Sequence, residues 1–204
     1  MNLRLRNSSH SPSNKLAQCQ ITSKRGRECN YGATDKLKCK HVPIDLVIVM
    51  DESSSIGADD YQDSRVGMVS FSDGGRVRFG LDQYKTNSDV TSAIRQSDYG
   101  RGLTNIAAGM HVATTEVFAK AKDRALRKVM LVITDGMDIT DVGKEHALAE
   151  KAGIVTYVIG VGEETDYEEL VKAAGDKKHV FTFANYQTLA DEIDLVCSSF
   201  MLGE

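Results

Sequence analysis

The stretch that most constrains this chain is Asp45-Leu46-Val47-Ile48-Val49-Met50-Asp51-Glu52-Ser53-Ser54-Ser55. Its β-branched, apolar run suits a strand buried on both faces, as the inner strands of parallel sheets are. The run ends on Asp51, Ser53 and Ser55, three oxygen-bearing side chains at alternate positions. Open α/β sheets gather their binding groups at the carboxyl ends of strands. Carboxylate and hydroxyl oxygens in that place make half of a site for a hard cation such as Mg²⁺.

A second buried-strand run, Arg127 to Thr134, ends in Asp135-Gly136. Between the two runs lies Gly100-Arg101-Gly102-Leu103-Thr104-Asn105, a glycine-bearing loop that hands a threonine hydroxyl to the start of a predicted helix. Asp-x-Ser-x-Ser, the Thr104 loop and Thr-Asp-Gly, in this order, resemble the von Willebrand factor A domain over about residues 42–200. The resemblance implies an open, mostly parallel, doubly wound α/β sheet with helices on both faces, a Rossmann-like arrangement. It also implies a metal-ion-dependent adhesion site formed by Asp51, Ser53, Ser55, Thr104 and Asp135.

Composition narrows the function classes. At 204 residues the chain accommodates one full core plus an extra segment. A net charge of −4 argues against a nucleic-acid partner, which normally leaves a basic footprint. No apolar run approaches the roughly 18 residues of a membrane span. Met1 to Ala17 is polar and shows no signal-peptide core, so the chain reads as a fragment or as a gene product lacking its true start.

Four cysteines, Cys19, Cys29, Cys39 and Cys197, permit three pairings, among which spacing alone does not choose. In extracellular A domains that this chain resembles, a cysteine before the first strand often bridges to one after the last helix. That resemblance implies Cys39–Cys197, leaving Cys19–Cys29 within the N-terminal segment. A bridge across so long a loop stabilises by several kcal/mol in the chain-entropy picture, roughly 4–5 kcal/mol. The other reading is four free thiols in a reducing compartment.

Along the chain, residues 1–41 read as an irregular, polar, cysteine-bearing segment, 42–200 as the A domain and 201–204 as a tail. From residue 44 onward strands and helices alternate, which implies βαβ units. Strands are expected at 45–50, 66–71, 76–80, 128–134, 154–160 and 179–183. Helices are expected at 87–97, 104–122, 140–152, 165–174 and 186–199. Val158-Ile159-Gly160-Val161-Gly162 lacks the third glycine of a dinucleotide loop and is read as a strand end.

The chain departs from the family between Ser55 and Val66. Only ten residues, Ile56 to Arg65, stand where A domains carry a long amphipathic helix. Parallel neighbours need a crossover of about a dozen residues or more, usually helical. Ten helical residues rise only about 15 Å, whereas an extended chain of that length reaches about 33 Å. The second strand is therefore reached by an uncovered crossover, displaced, or lost. Without the helix, Val47, Val49 and their neighbours are expected to be partly exposed, an aggregation liability or a dimerisation patch. A skipped exon or truncated gene product accounts for the gap, with a naturally shortened variant as the alternative.

Each site residue also has a local role open to it. Asp51 suits a helix N-cap, Ser53 and Ser55 suit turns, Thr104 suits the N-cap of its helix, and Asp135-Gly136 is an ordinary turn signal. None of these explains why all five groups fall at predicted carboxyl ends of strands.

The resemblance implies ligand capture rather than catalysis. Mg²⁺, or Mn²⁺ or Ca²⁺ in its place, would offer an open coordination position to a partner's carboxylate. Cys39 to Val47, Val77 to Tyr84 and Lys178 to Phe181 resemble the matrilin and type VI-like collagen branch. The implied protein is secreted, non-enzymatic, binds matrix proteins such as collagens, and self-associates through flanking modules. Two alternatives stand beside it. An intracellular assembly module would dispense with the disulfides. A metal-dependent hydrolase of the aspartyl type would want a carboxylate at the position Ser53 holds, and His111, His146 and His179 accompany no nucleophile elbow.

Overall fold

The computed structural model describes residues 18–21, 27–30, 44–51, 64–98, 102–136, 140–163 and 165–202, with backbone alone at 18–21, 27–30, 50–51 and 200–202. The chain divides into two units, Met1–Asp35 and Lys36–Glu204. In the first, β1 (Gln18–Ile21) and β2 (Arg27–Asn30) form an antiparallel ladder that sets Cys19 opposite Cys29. The segment expected to be irregular therefore contains a strand pair. Four-residue strands as polar as Gln-Cys-Gln-Ile and Arg-Glu-Cys-Asn are too short to carry a readable period-two pattern.

The second unit is built on a six-stranded sheet in the order β5-β4-β3-β6-β7-β8. Its strands are β3 (Ile44–Asp51), β4 (Arg65–Phe71), β5 (Gly75–Phe79), β6 (Arg127–Thr134), β7 (Ile154–Val161) and β8 (Val180–Phe183). Neighbours are parallel except the edge strand β5, which pairs antiparallel with β4. All six expected strands are present. β3 lies between β4 and β6, which explains its unbroken apolar run, because an inner parallel strand meets helices on both faces.

The helices are α1 (Asn87–Arg95), α2 (Ile106–Val112), α3 (Gly143–Lys151), α4 (Tyr167–Ala174), α5 (Tyr186–Asp191) and α6 (Ile193–Leu202). The expected single helix at 186–199 is thus two, parted at Glu192. That expected at 104–122 begins at Ile106 and continues past Val112 as a π-helical stretch, Ala113–Phe118.

One face of the sheet packs Val47, Val49, Val69, Phe71 and Val132 against Ile106, Met110 and Val117, with Ala149 and Leu170 further along. The other face packs Ile44, Leu46, Leu131, Ile133 and Tyr157 against Leu189 and Val196. Beside it, Met68 and Phe79 meet Val90 of α1.

This arrangement corrects the expectation for Val47 and Val49, which are both 0% exposed. Alternation along β3 turns them toward α2, and α2 approaches closely. A Cβ on Gly109 would stand 2.8 Å from Val49 Cγ1 and 2.9 Å from Phe71 Cδ1, so glycine is needed there. The half-buried apolar residues of this strand pair are Ile48 and Val66, on the opposite face. The second strand keeps its place, parallel to β3 with Asp45 opposite Arg65 and Asp51 opposite Phe71. The crossover residues 52–63 lie outside the described residues.

An ion pair fixes that register at the amino ends of the two strands. Arg65 Nε and Nη2 donate to Asp45 Oδ1 and Oδ2 at 2.8 and 2.6 Å, and Arg65 Nη1 donates to Asp82 Oδ1 at 2.7 Å. Arg65 is 6% exposed and Asp45 1%. Asp82 also accepts the Lys122 backbone N–H at 3.1 Å. The hydrogen bond to Asp45 does most to hold the guanidinium's pKa above its ordinary value, with Asp82 adding to it against the opposing effect of burial. Both oxygens of the buried carboxylate are met by a planar, two-pronged donor, the strongest form of such a contact.

Candidate metal centre

β3 ends at Asp51 and β6 at Thr134. Met50 lies opposite Ile133 in the parallel ladder, so Asp51 and the Thr134-Asp135 step leave the sheet side by side. Neighbouring strands are about 4.8 Å apart, which sets the lateral scale of this rim. Thr134 is fully buried, and its Oγ1 accepts the Gly136 N–H at 3.3 Å, so the chain turns sharply just where Asp135 emerges. Asp135 itself is half-buried.

The loop before α2 meets this turn. A Cβ on Gly136 would stand 2.6 Å from Thr104 Oγ1, so the threonine hydroxyl fills the space that any other residue at 136 would need. Thr104 is therefore brought directly against the Asp135-Gly136 turn. It does not cap its helix. The cap is Asn105, whose Oδ1 accepts the Ala108 N–H at 2.8 Å. With the helix start satisfied by its neighbour, Thr104 has no capping task.

Of the five residues expected to form the centre, Thr104 and Asp135 are thus brought together. Asp51 is placed by its backbone at the adjoining strand end. The Asp51 side chain, Ser53 and Ser55 lie outside what is described. Among the described residues no three His, Cys, Asp or Glu side chains converge; the described oxygen donors at this rim are the Thr104 hydroxyl and the Asp135 carboxylate. A carboxylate and a hydroxyl on adjoining loops at the carboxyl ends of parallel strands are hard oxygen donors, and they fit a hard divalent ion.

Two residues that the sequence reading passed over belong to this rim. Asp73, in the turn between β4 and β5, accepts the Leu103 N–H through Oδ1 at 2.9 Å, and its backbone carbonyl accepts from Asn105 Nδ2 at 3.3 Å. It braces the Thr104 loop from below. The Ser72-Asp73-Gly74-Gly75 hairpin turn was visible in the sequence, but its distant partner was not. Tyr186, the first residue of α5, donates its hydroxyl to Asp135 Oδ2 at 3.3 Å.

Two of the three histidines weighed for hydrolysis, His111 and His179, are engaged elsewhere. His111 Nδ1 lies 3.0 Å from Glu145 Oε2, between α2 and α3. His179 packs against Tyr157 with ring centroids 4.5 Å apart and the rings tilted by 47°, just before β8 and so at the amino ends of the strands. Cys197, buried in α6, is disulfide-bonded. Cys39 lies outside the described residues, as do the side chains of Cys19 and Cys29. Among the described residues no helix is long and apolar enough to cross a membrane.

Comparison with known proteins agrees with this architecture. The family model for the von Willebrand factor type A domain matches residues 60–194, beginning after the Asp51–Ser55 sequence. Bovine vitrin (Bos taurus) is 31% identical over 193 residues, covering 82% of this chain and 29% of vitrin. Those 193 positions exceed the residues of this chain that take part, so vitrin has positions with no counterpart here. The human (Homo sapiens) collagen alpha-1(XXI) chain is 28% identical over 163 residues, covering 71% of this chain and 17% of the collagen chain. This chain therefore spans less than a third of the length of either relative. Among solved structures, proximal thread matrix protein 1 from the mussel byssus, with a zinc-occupied MIDAS motif, superposes with a TM-score of 0.70 at 26% identity. It covers 81% of this chain and 47% of its own. The fold, the order of the motifs and the extent of the match together make this chain a member of the von Willebrand factor type A domain family.

Proposed function

We propose that this chain is a secreted, non-enzymatic matrix-adhesion module that binds its partner through a divalent cation, Mg²⁺ by preference. Asp51 and Asp135 supply negative charge, and Ser53, Ser55 and Thr104 supply hydroxyl oxygens. Two carboxylates and three neutral hydroxyls just balance a divalent ion, and Mg²⁺ keeps exchangeable positions in its shell. The bound ion contributes a site for a carboxylate of the partner. The observation that carries this reading is the seating of the Thr104 hydroxyl against Gly136, beside Asp135. It joins two of the three loops at one point on the rim. The zinc-occupied MIDAS of the byssal protein supports a metal at the same place.

Matrix proteins such as collagens are the proposed partners, and the extracellular matrix the proposed location. Similarity to a collagen chain and to a thread matrix protein supports both. The proposed disulfides are Cys39–Cys197 and Cys19–Cys29. They are supported by the bonded state of Cys197, by the Cys19–Cys29 register, and by each pair lying within a single unit. The proposed adhesion domain is 42–200.

Binding of the oxidised chain to immobilised collagens and matrix extract tests the reading. Binding is expected in Mg²⁺, to be lost in EDTA, and to fall at least tenfold on Asp135→Ala, a loss of the order seen when a buried charged contact is removed. Equal binding in Mg²⁺ and EDTA would contradict it.

A further inference from the structure

We propose that Tyr186 is a positioning residue for the metal centre, holding the Asp135 carboxylate through its phenol hydroxyl; the inference rests on the metal-binding reading above. Its basis is the 3.3 Å hydrogen bond from Tyr186 Oη to Asp135 Oδ2, made between residues 51 positions apart in the chain. Tyr186 follows β8 and Asp135 follows β6, and β7 lies between these strands. The tyrosine thus reaches across one whole strand, roughly 9–10 Å of sheet at the usual spacing.

A residue making such a reach needs a fixed base, and Tyr186 has one. Asn185 caps α5, its Oδ1 accepting the Thr188 N–H at 2.9 Å. The end of β8 is tied to the end of β7 by the Gly162 N–H donating to the Phe183 carbonyl at 2.8 Å. The tyrosine ring is half-buried and packs on the cluster containing Phe183 and Leu189. Backbone and ring are therefore anchored in the core, and the hydroxyl is the part that extends to the rim.

What that contact does follows from general metal-site chemistry. A ligating carboxylate is commonly oriented by a hydrogen-bond donor behind it, which limits its rotation and sets the direction of its remaining lone pairs. Asp135 stands just past a strand end, half-buried. A donor fixed to the neighbouring layer of the core holds such a group ready for the ion. Phenylalanine at 186 would pack equally well but leave the carboxylate without this donor.

Calorimetric titration with Mg²⁺ and with Mn²⁺, on wild type and Tyr186→Phe, separates positioning from packing. The expected result is affinity for both ions weakened about tenfold, the usual scale for loss of a group that orients a ligand. The unfolding temperature in EDTA is expected to move by no more than a few degrees. A variant that binds both ions as tightly as wild type, or more tightly, overturns the role of Tyr186 and leaves the metal centre standing. A wild-type chain that binds neither ion overturns the metal reading and this inference with it.

Discussion

The two ends of the β3–β4 pair solve different problems. At the amino ends, Asp45, Arg65 and Asp82 close on one another, with both oxygens of the buried Asp45 carboxylate occupied by one guanidinium. At the carboxyl ends, Thr104 and Asp135 arrive from separate loops, and their alignment depends on Asn105, Gly136, Asp73 and Tyr186 around them. The first end is self-contained and holds register. The second is assembled from pieces and faces outward. On the proposed function, folding strength and recognition lie at opposite ends of the sheet. A crossover shortened beside the rim leaves the amino-end clamp in place.

The strongest way to break this contrast is Arg65→Ala. It leaves Asp45 as a buried charge without its partner, and stability is expected to fall by about 3–5 kcal/mol. Urea unfolding in EDTA measures it. Combining Arg65→Ala with Asp45→Ala is expected to recover part of the loss, because the two residues act as one unit. A single variant within about 1 kcal/mol of wild type, the range of a surface ion pair, would show that the clamp does not hold the register.

A smaller effect sharpens the same point through acid. The Asp82 carboxyl is held below its ordinary value of 3.8, first by the Arg65 hydrogen bond and then by the Lys122 backbone N–H. A lowered folded-state pKa contributes stability that is present above the ordinary value and is lost as pH falls through the lower one. The chain is therefore expected to lose more stability than Asp82→Asn on acidification below 3.8. The effect is modest because the Asp82 side chain is 46% exposed and is screened by water and salt. Parallel acid profiles for the two proteins would remove Asp82 from the clamp.

The sequence was most readable where one segment carries its own signal. β3 and β6 announced themselves as apolar runs ending in oxygen-bearing residues, and both lie at the centre of the sheet. That Thr104 lies beside the Asp135-Gly136 turn was legible because each belongs to a recognisable motif. What was not legible depends on pairs distant in sequence. Nothing near Tyr186 indicates that its hydroxyl reaches Asp135. The short crossover suggested missing cover but not on which face, so Val47 and Val49 were expected to be partly exposed and are buried. The division between Thr104 and Asn105 was equally hidden, since either residue caps a helix well. Only the Ala108 contact decides it.

The most direct test of a metal-dependent centre on this shortened scaffold is thermal unfolding of the oxidised chain in Mg²⁺ and in EDTA, beside Asp51→Ala. A ligand that binds only the folded state raises the transition temperature. The account predicts a cooperative transition that rises with Mg²⁺ in the wild type and does not rise in Asp51→Ala. A transition that is the same in Mg²⁺ and EDTA, or that rises equally in the variant, would contradict it.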